Sequence, residues 1–311
     1  MAVCKCDTGI VNSGIPSCVS GFGRIVKLFF VYQVATDGTS NAIPCSQTID
    51  QAYLTDKLNE TDPSKRWFPT DSISNVTEVR NDPTTESIDN IDLIVAAGSR
   101  TFNGFFVSKG ATSPTYLKFL KSLECPSVMY FGIDENGTIV GIETTTGNPV
   151  EAALTGINVQ GQSITSRPVP ATSTTLAKNE LTFTVDSLVQ DQDISFIGAD
   201  EITADLLNAT GLLDVTLVES ATPATDSSLV VEASLVYGSV CKKIKYKGAT
   251  DAADWLVENT TTSSTLTVTS AVENPEGTYT LNFAAQTSAD VLTVQVVKDG
   301  FSSNVATITI P

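Results

Sequence analysis

The chain has 311 residues, enough for two domains of ordinary size whose cores need no metal or disulfide staple. Its 18 Lys+Arg against 35 Asp+Glu leave a net charge of −17, which argues against binding nucleic acid or anionic lipid. It contains no histidine, which removes Ser-His-Asp and Cys-His catalysis, histidine-ligated zinc and an imidazole base.

Threonine fills the place of the scarce charged residues, with 42 copies, and a Thr- and Val-rich chain reads as mainly β. The N-terminus lacks a basic start followed by an apolar run, so no secretory signal is expected. The longest apolar stretch, residues 28–32, is far too short to cross a bilayer, so no membrane anchor is expected.

Residues 1–24 are rich in Gly, Ser and Cys and suit an irregular arm. Cys4, Cys6 and Cys18 crowd this arm, and Cys45 supplies a fourth thiolate that four-coordinate zinc would need. The Cys4-x-Cys6 spacing departs from known ligand patterns, so the expectation is reduced, packable thiols and no metal.

Residues 25–34 (IVKLFFVYQV) are apolar, β-branched and aromatic without a helical period, which predicts a buried strand. Residues 50–59 predict a short helix closed by Asp62-Pro63. The following Arg66-Trp67-Phe68 joins a cation to two large aromatics. Such a group is either an assembly contact or a strand entering the core with its cations in solvent. Residues 87–94 alternate imperfectly, and residues 101–107 (TFNGFFV) read as a strand. Residues 113–123 give the clearest helix, with Ser113 as N-cap, Pro114 in the first turn and Leu117, Leu120 and Leu123 on one face.

A strand over 127–133, a turn at Asp134-Glu135-Asn136-Gly137 and a return over 138–142 read as a hairpin. Its acids lack the pattern of a calcium loop. Residues 144–180 predict strands joined by long loops, and 181–185 alternate cleanly. Residues 200–207 begin with acids and read as a helix that stops at Gly211, before a strand over 214–218. The polar segment 219–226 reads as a linker.

From residue 227 seven short strands arrive at the spacing of an immunoglobulin-like sandwich. Trp255 is its expected core tryptophan, and Gly277-Thr278-Tyr279 is expected to lead into its F strand. Cys241 is alone there, so the inter-sheet disulfide is absent. No phosphate loop, nucleophile elbow or HExxH occurs, and Gly21-Phe22-Gly23 lacks its third glycine. Asp pairs such as Asp191/Asp193 and Asp89/Asp92 read as solvated loop carboxylates, so no catalytic residue and no cofactor is expected.

Several blocks are familiar as a set: Gly14-Ile15-Pro16-Ser17-Cys18, Lys65-Arg66-Trp67-Phe68-Pro69, Arg80-Asn81-Asp82-Pro83, Gly98-Ser99-Arg100-Thr101-Phe102, Ser113-Pro114-Thr115-Tyr116-Leu117, and Asp200-Glu201-Ile202-Thr203-Ala204 with Gly211-Leu212-Leu213. Their order and spacing over residues 10–215 resemble a virion-protein family of tailed bacteriophages of Bacteroidetes hosts, including crAss-like phages. The resemblance implies a non-enzymatic structural subunit of a tail tube or tail ring. It implies a homo-oligomer of one or more rings, bound to neighbouring tail proteins around a DNA-conducting channel and assembled in the host cytoplasm.

The implied fold is mainly β. A tail-tube-like β-barrel or β-sandwich core with one or two short helices spans 25–218, and an immunoglobulin-like domain spans 227–311. Arg66, Trp67 and Phe68 are the candidate assembly contacts. Two other roles fit the same composition: a capsid decoration or head-fibre protein, and a bacterial surface adhesin or carbohydrate-binding module.

Overall fold

The computed structural model describes residues 21–311 apart from 83, 89–90, 97, 148–149, 190–192, 240–241 and 275–276. The protein is mainly β and divides into two compact units, 1–211 and 212–311.

The first unit begins with β1 (Ile25–Tyr32), β2 (Ile43–Pro44), helix α1 (Gln51–Asn59) and β3 (Phe68–Pro69). It continues through β4 (Ser74–Arg80), β5 (Thr84–Ile88), β6 (Ile91–Ala96), β7 (Arg100–Phe106) and helix α2 (Pro114–Ser122). Then follow β8 (Val128–Asp134), β9 (Ile139–Thr146), β10 (Glu151–Thr155), β11 (Ile157–Asn158), β12 (Thr165–Val169), β13 (Lys178–Val185) and β14 (Ile194–Ile197). One sheet runs β2-β10-β9-β8-β1-β3, with β11 on β8 and β14 on β9. A second runs β12-β13-β7-β4.

The continuous apolar run of β1 has a structural cause: both faces of its sheet are covered. Leu28 and Phe30 pack with Phe102, Phe106, Leu181 and Phe183 of the second sheet and with Tyr116 and Leu120 of α2. Phe29 and Val31 turn the other way, onto Trp67, Leu54 of α1 and Leu206. β8, paired with β1 from Ile25↔Asp134 to Tyr32↔Val128, is buried along its whole length. The described pairings give the sandwich form of the expected core.

Both helices form where the sequence predicted them, and each has a capping side chain. Asp50 accepts from the Tyr53 N–H at 2.8 Å and Ser113 from the Tyr116 N–H at 3.2 Å. The buried stripe of α2 is Tyr116, Leu120 and the capping Leu123, with Leu117 on its flank. Residues 200–207 are not a helix. Only Ala199–Glu201 makes a 3₁₀ turn. The N–H groups of Thr203 and Ala204 donate to the Ile49 carbonyl, so the backbone pairs outward instead of within a helix.

The second unit comprises β15 (Leu213–Glu219), β16 (Ser228–Ser239), β17 (Lys242–Lys245), β18 (Trp255–Asn259) and β19 (Ser264–Leu266). It ends with β20 (Ser270–Asn274), β21 (Thr278–Asn282), β22 (Val291–Val296), β23 (Phe301–Ser303) and β24 (Ala306–Thr309). One sheet is β20-β21-β16-β15-β23 with β17 also on β16, and the other is β19-β18-β22-β24. Taking β15, β16, β20 and β21 as strands A, B, D and E, and β18, β22 and β24 as C, F and G, this is an immunoglobulin-type sandwich.

Two expectations change here. Residues 219–226 do not link the units. β15 lies before them and pairs with β16 and, in parallel, with β23, so they span a turn inside the sandwich. Tyr279 lies on β21, the E position, because that strand pairs with β16. Trp255 is buried as expected, 5.0 Å from the Tyr279 ring, and its Nε1–H donates to the Ala249 carbonyl.

Candidate functional site

The expected contact group Arg66-Trp67-Phe68 divides between surface and interior. Trp67 is 1% exposed, with the rings of Phe29, Tyr53 and Phe131 centred 5.5–5.8 Å away. It is a core residue of the subunit and has no surface to offer a partner. Phe68 pairs with Phe30 across β1–β3 and packs, half-buried, on the opposite core. Arg66 turns back onto its own chain, its Nε donating to the Glu60 carbonyl at 2.6 Å. The aromatics of this stretch enter the core, while Lys65 and Arg66 are half-buried and bound to Asp37 and Glu60 of their own chain.

The described residues 80–82 of one further block meet the block 98–102. β4 pairs with β7 up to Arg80↔Arg100, and β5 pairs with β6 from Thr84↔Ala96 to Ile88↔Ile91. Together they make one long ribbon with a joint between its halves. At the joint Asn81 N–H donates to the Ser99 carbonyl at 2.9 Å, and its side chain to Ser99 Oγ at 2.7 Å. A Cβ on Gly98 would lie 1.7 Å from the Asn81 carbonyl oxygen, so only glycine fits. Arg80 and Arg100 face each other as like charges, and Glu78 pairs with the buried Arg100 guanidinium.

The distal half, β5–β6, pairs with no strand outside itself among the described residues. Residues 87–94, expected to alternate, instead contribute to both arms of this hairpin.

Neither Lys27 nor Asp134, both buried ions, is among the candidate site residues of the sequence. Lys27, the lone charge in the β1 run, is 4% exposed, and its ammonium donates to the Leu207 and Ala209 carbonyls. Burial lowers its pKa to about 8, against the opposing pull of Asp71 and Asp205. Asp134 is fully buried at the β8–β9 turn. Burial pushes its carboxyl up, but N–H donation from Gly23, Thr138 and Asn136 outweighs this and holds it below the usual range. Both ions stitch loops to strands.

A depression of about 230 Å³ on β12–β13 is lined by Thr165, Ser166, Arg167, Glu180 and Thr182. Its charges are already satisfied, since Glu180 pairs with both Arg167 and Lys178. Among the described residues no three His, Cys, Asp or Glu side chains converge on a metal position. Cys4, Cys6 and Cys18 lie outside the described residues, so only Cys45 of that set is placed. Burial, with Glu143 and Glu151 nearby, pushes its thiol up and disfavours the thiolate a metal needs. No described helix is long and apolar enough to cross a membrane.

No family model matches the chain, and no curated protein matches it. Among solved structures, the N-terminal part of the bacterial S-layer protein SbsC aligns at 13% identity over 32% of this chain and 23% of its own. The TM-score is 0.23, so the likeness carries no argument about fold or function.

Proposed function

We propose that the protein is a structural subunit of a bacteriophage tail, a tube or ring component that self-assembles around a DNA-conducting channel. The immunoglobulin-type unit faces outward. The observation that carries self-assembly is the β5–β6 hairpin, which continues past the joint at Asn81 and Gly98 and, among the described residues, pairs with no other sheet. A two-stranded hairpin alone is marginal in water, and an open ribbon edge calls for a strand from elsewhere. A neighbouring copy supplies that strand in a head-to-tail contact that repeats until it closes.

The net charge of −17 suits a lumen through which DNA slides without adhering. The tail assignment rests on the resemblance of the sequence blocks to those of tailed-phage virion proteins. Residues of two of these blocks, Asn81 and Gly98-Ser99, form the ribbon joint.

The test is the mass and shape of the purified protein across protein and salt concentration, by light scattering and negative-stain imaging. Rings or stacked tubes are expected, favoured at moderate salt because screening weakens repulsion between acidic subunits. A monomer at every concentration and salt would overturn self-assembly and leave a decoration role on a pre-formed neighbour.

A further inference from the structure

We propose that the open edge of β17 in the second unit is a docking strand for an extended, acidic peptide segment of a partner protein. This does not depend on whether the first unit assembles. The second unit carries five lysines and no arginine against eleven Asp and Glu. Four of those lysines, Lys242, Lys243, Lys245 and Lys247, fall within six residues on and just past β17. The fifth, Lys298, is bound at 2.9 Å to Asp254. Lys243, Lys245 and Lys247 are exposed, and among the described residues the acid paired with them is Glu232, 4.0 Å from Lys245.

β17 lies on the same side of β16 as β21, but beyond its end. β20 covers the outer edge of β21, whereas no described strand covers that of β17. Alternation fixes where its backbone points. Tyr246 donates its N–H to the Ala233 carbonyl of β16, so Lys243 and Lys245 direct their N–H and C=O groups to the open edge. Ile244, on the face of the buried Tyr246, is 49% exposed and offers an apolar contact beside the cations.

Lysines on an edge ordinarily repel a second copy of the same strand. They attract a strand with carboxylates at alternate positions, where opposite charges face across the ladder. The edge is thus closed to itself and open to one chemistry, recognised by backbone pairing and charge together.

The test uses the full chain and a fluorescent synthetic peptide alternating glutamate with valine. Controls are its lysine-for-glutamate counterpart, polyglutamate of equal charge, and dextran sulfate. The acidic strand peptide should bind and slow hydrogen exchange at the Lys243 and Lys245 amides. Lys243→Glu with Lys245→Glu, both on the surface, should weaken it about tenfold with unchanged melting temperature. Absence of binding overturns the proposal. So does equal binding of polyglutamate or dextran sulfate without amide protection, which would mark a non-specific polyanion patch.

Discussion

The central strands of the two units solve the same burial problem differently. β1 and β8 bury both faces, one onto a second sheet and α2, the other onto α1 and Trp67. β16 buries chiefly one face: Leu229, Val231 and Ala233 point inward, while on the other face Glu232 and Val236 meet solvent and only Ser234 is buried. The first arrangement yields an unbroken apolar run, the second an alternating one. A strand covered twice has no solvent side on which to place a charge, and each substitution there acts on two packing layers or on a buried ion.

That contrast breaks most sharply at Trp67. Trp67→Ala should cost about 3–5 kcal/mol in the first unit. Calorimetry should show its transition falling while that of the second unit stays fixed. Asp134→Asn should cost about 1.5–3 kcal/mol at neutral pH, because three N–H groups lose a charged acceptor. The folded pKa of Asp134 lies below its unfolded value. Its stabilisation is therefore complete above that unfolded value, near 3.9, and is lost as pH falls through the folded value. Thermal melts of wild type and variant should converge over that acid limb.

Lys27→Met should cost about 1 kcal/mol, since lost hydrogen bonds to Leu207 and Ala209 are partly offset by removing a buried charge. Its folded pKa of about 8 lies below the usual lysine value near 10.4. Wild type should therefore gain stability relative to Lys27→Met as pH rises between those values, a slope that paired alkaline melts detect. Smallest is Tyr279→Phe in the second unit, about 0.5–1.5 kcal/mol, from the lost bond to the Tyr246 carbonyl. It should leave the first transition unmoved.

Local signals were legible where the physics is local. Ser113 caps its helix because its side chain satisfies a nearby N–H group. Asp134 to Gly137 turns because Gly137 takes a positive φ of 90°. Long-range pairing was not legible. The polar run 219–226 marks a loop, but its composition cannot reveal that β15 before it pairs with β23, far along the chain. Tyr279 sits in a recognisable setting, yet pairing with β16 decides which sheet holds it. Trp67 resembled a contact because Arg66 adjoins it. Only the aromatic cage of Phe29, Tyr53 and Phe131 assigns it to the core. Lys27 did leave a signal, a single cation inside an apolar strand.

The claim that the first unit assembles and the second is an appended module can be measured by light scattering on fragments 1–211 and 212–311, cut at the observed boundary. The account predicts that 1–211 assembles with the same number of subunits as the full chain, while 212–311 folds cooperatively as a monomer. A monomeric 1–211 beside an assembling 212–311 would contradict it.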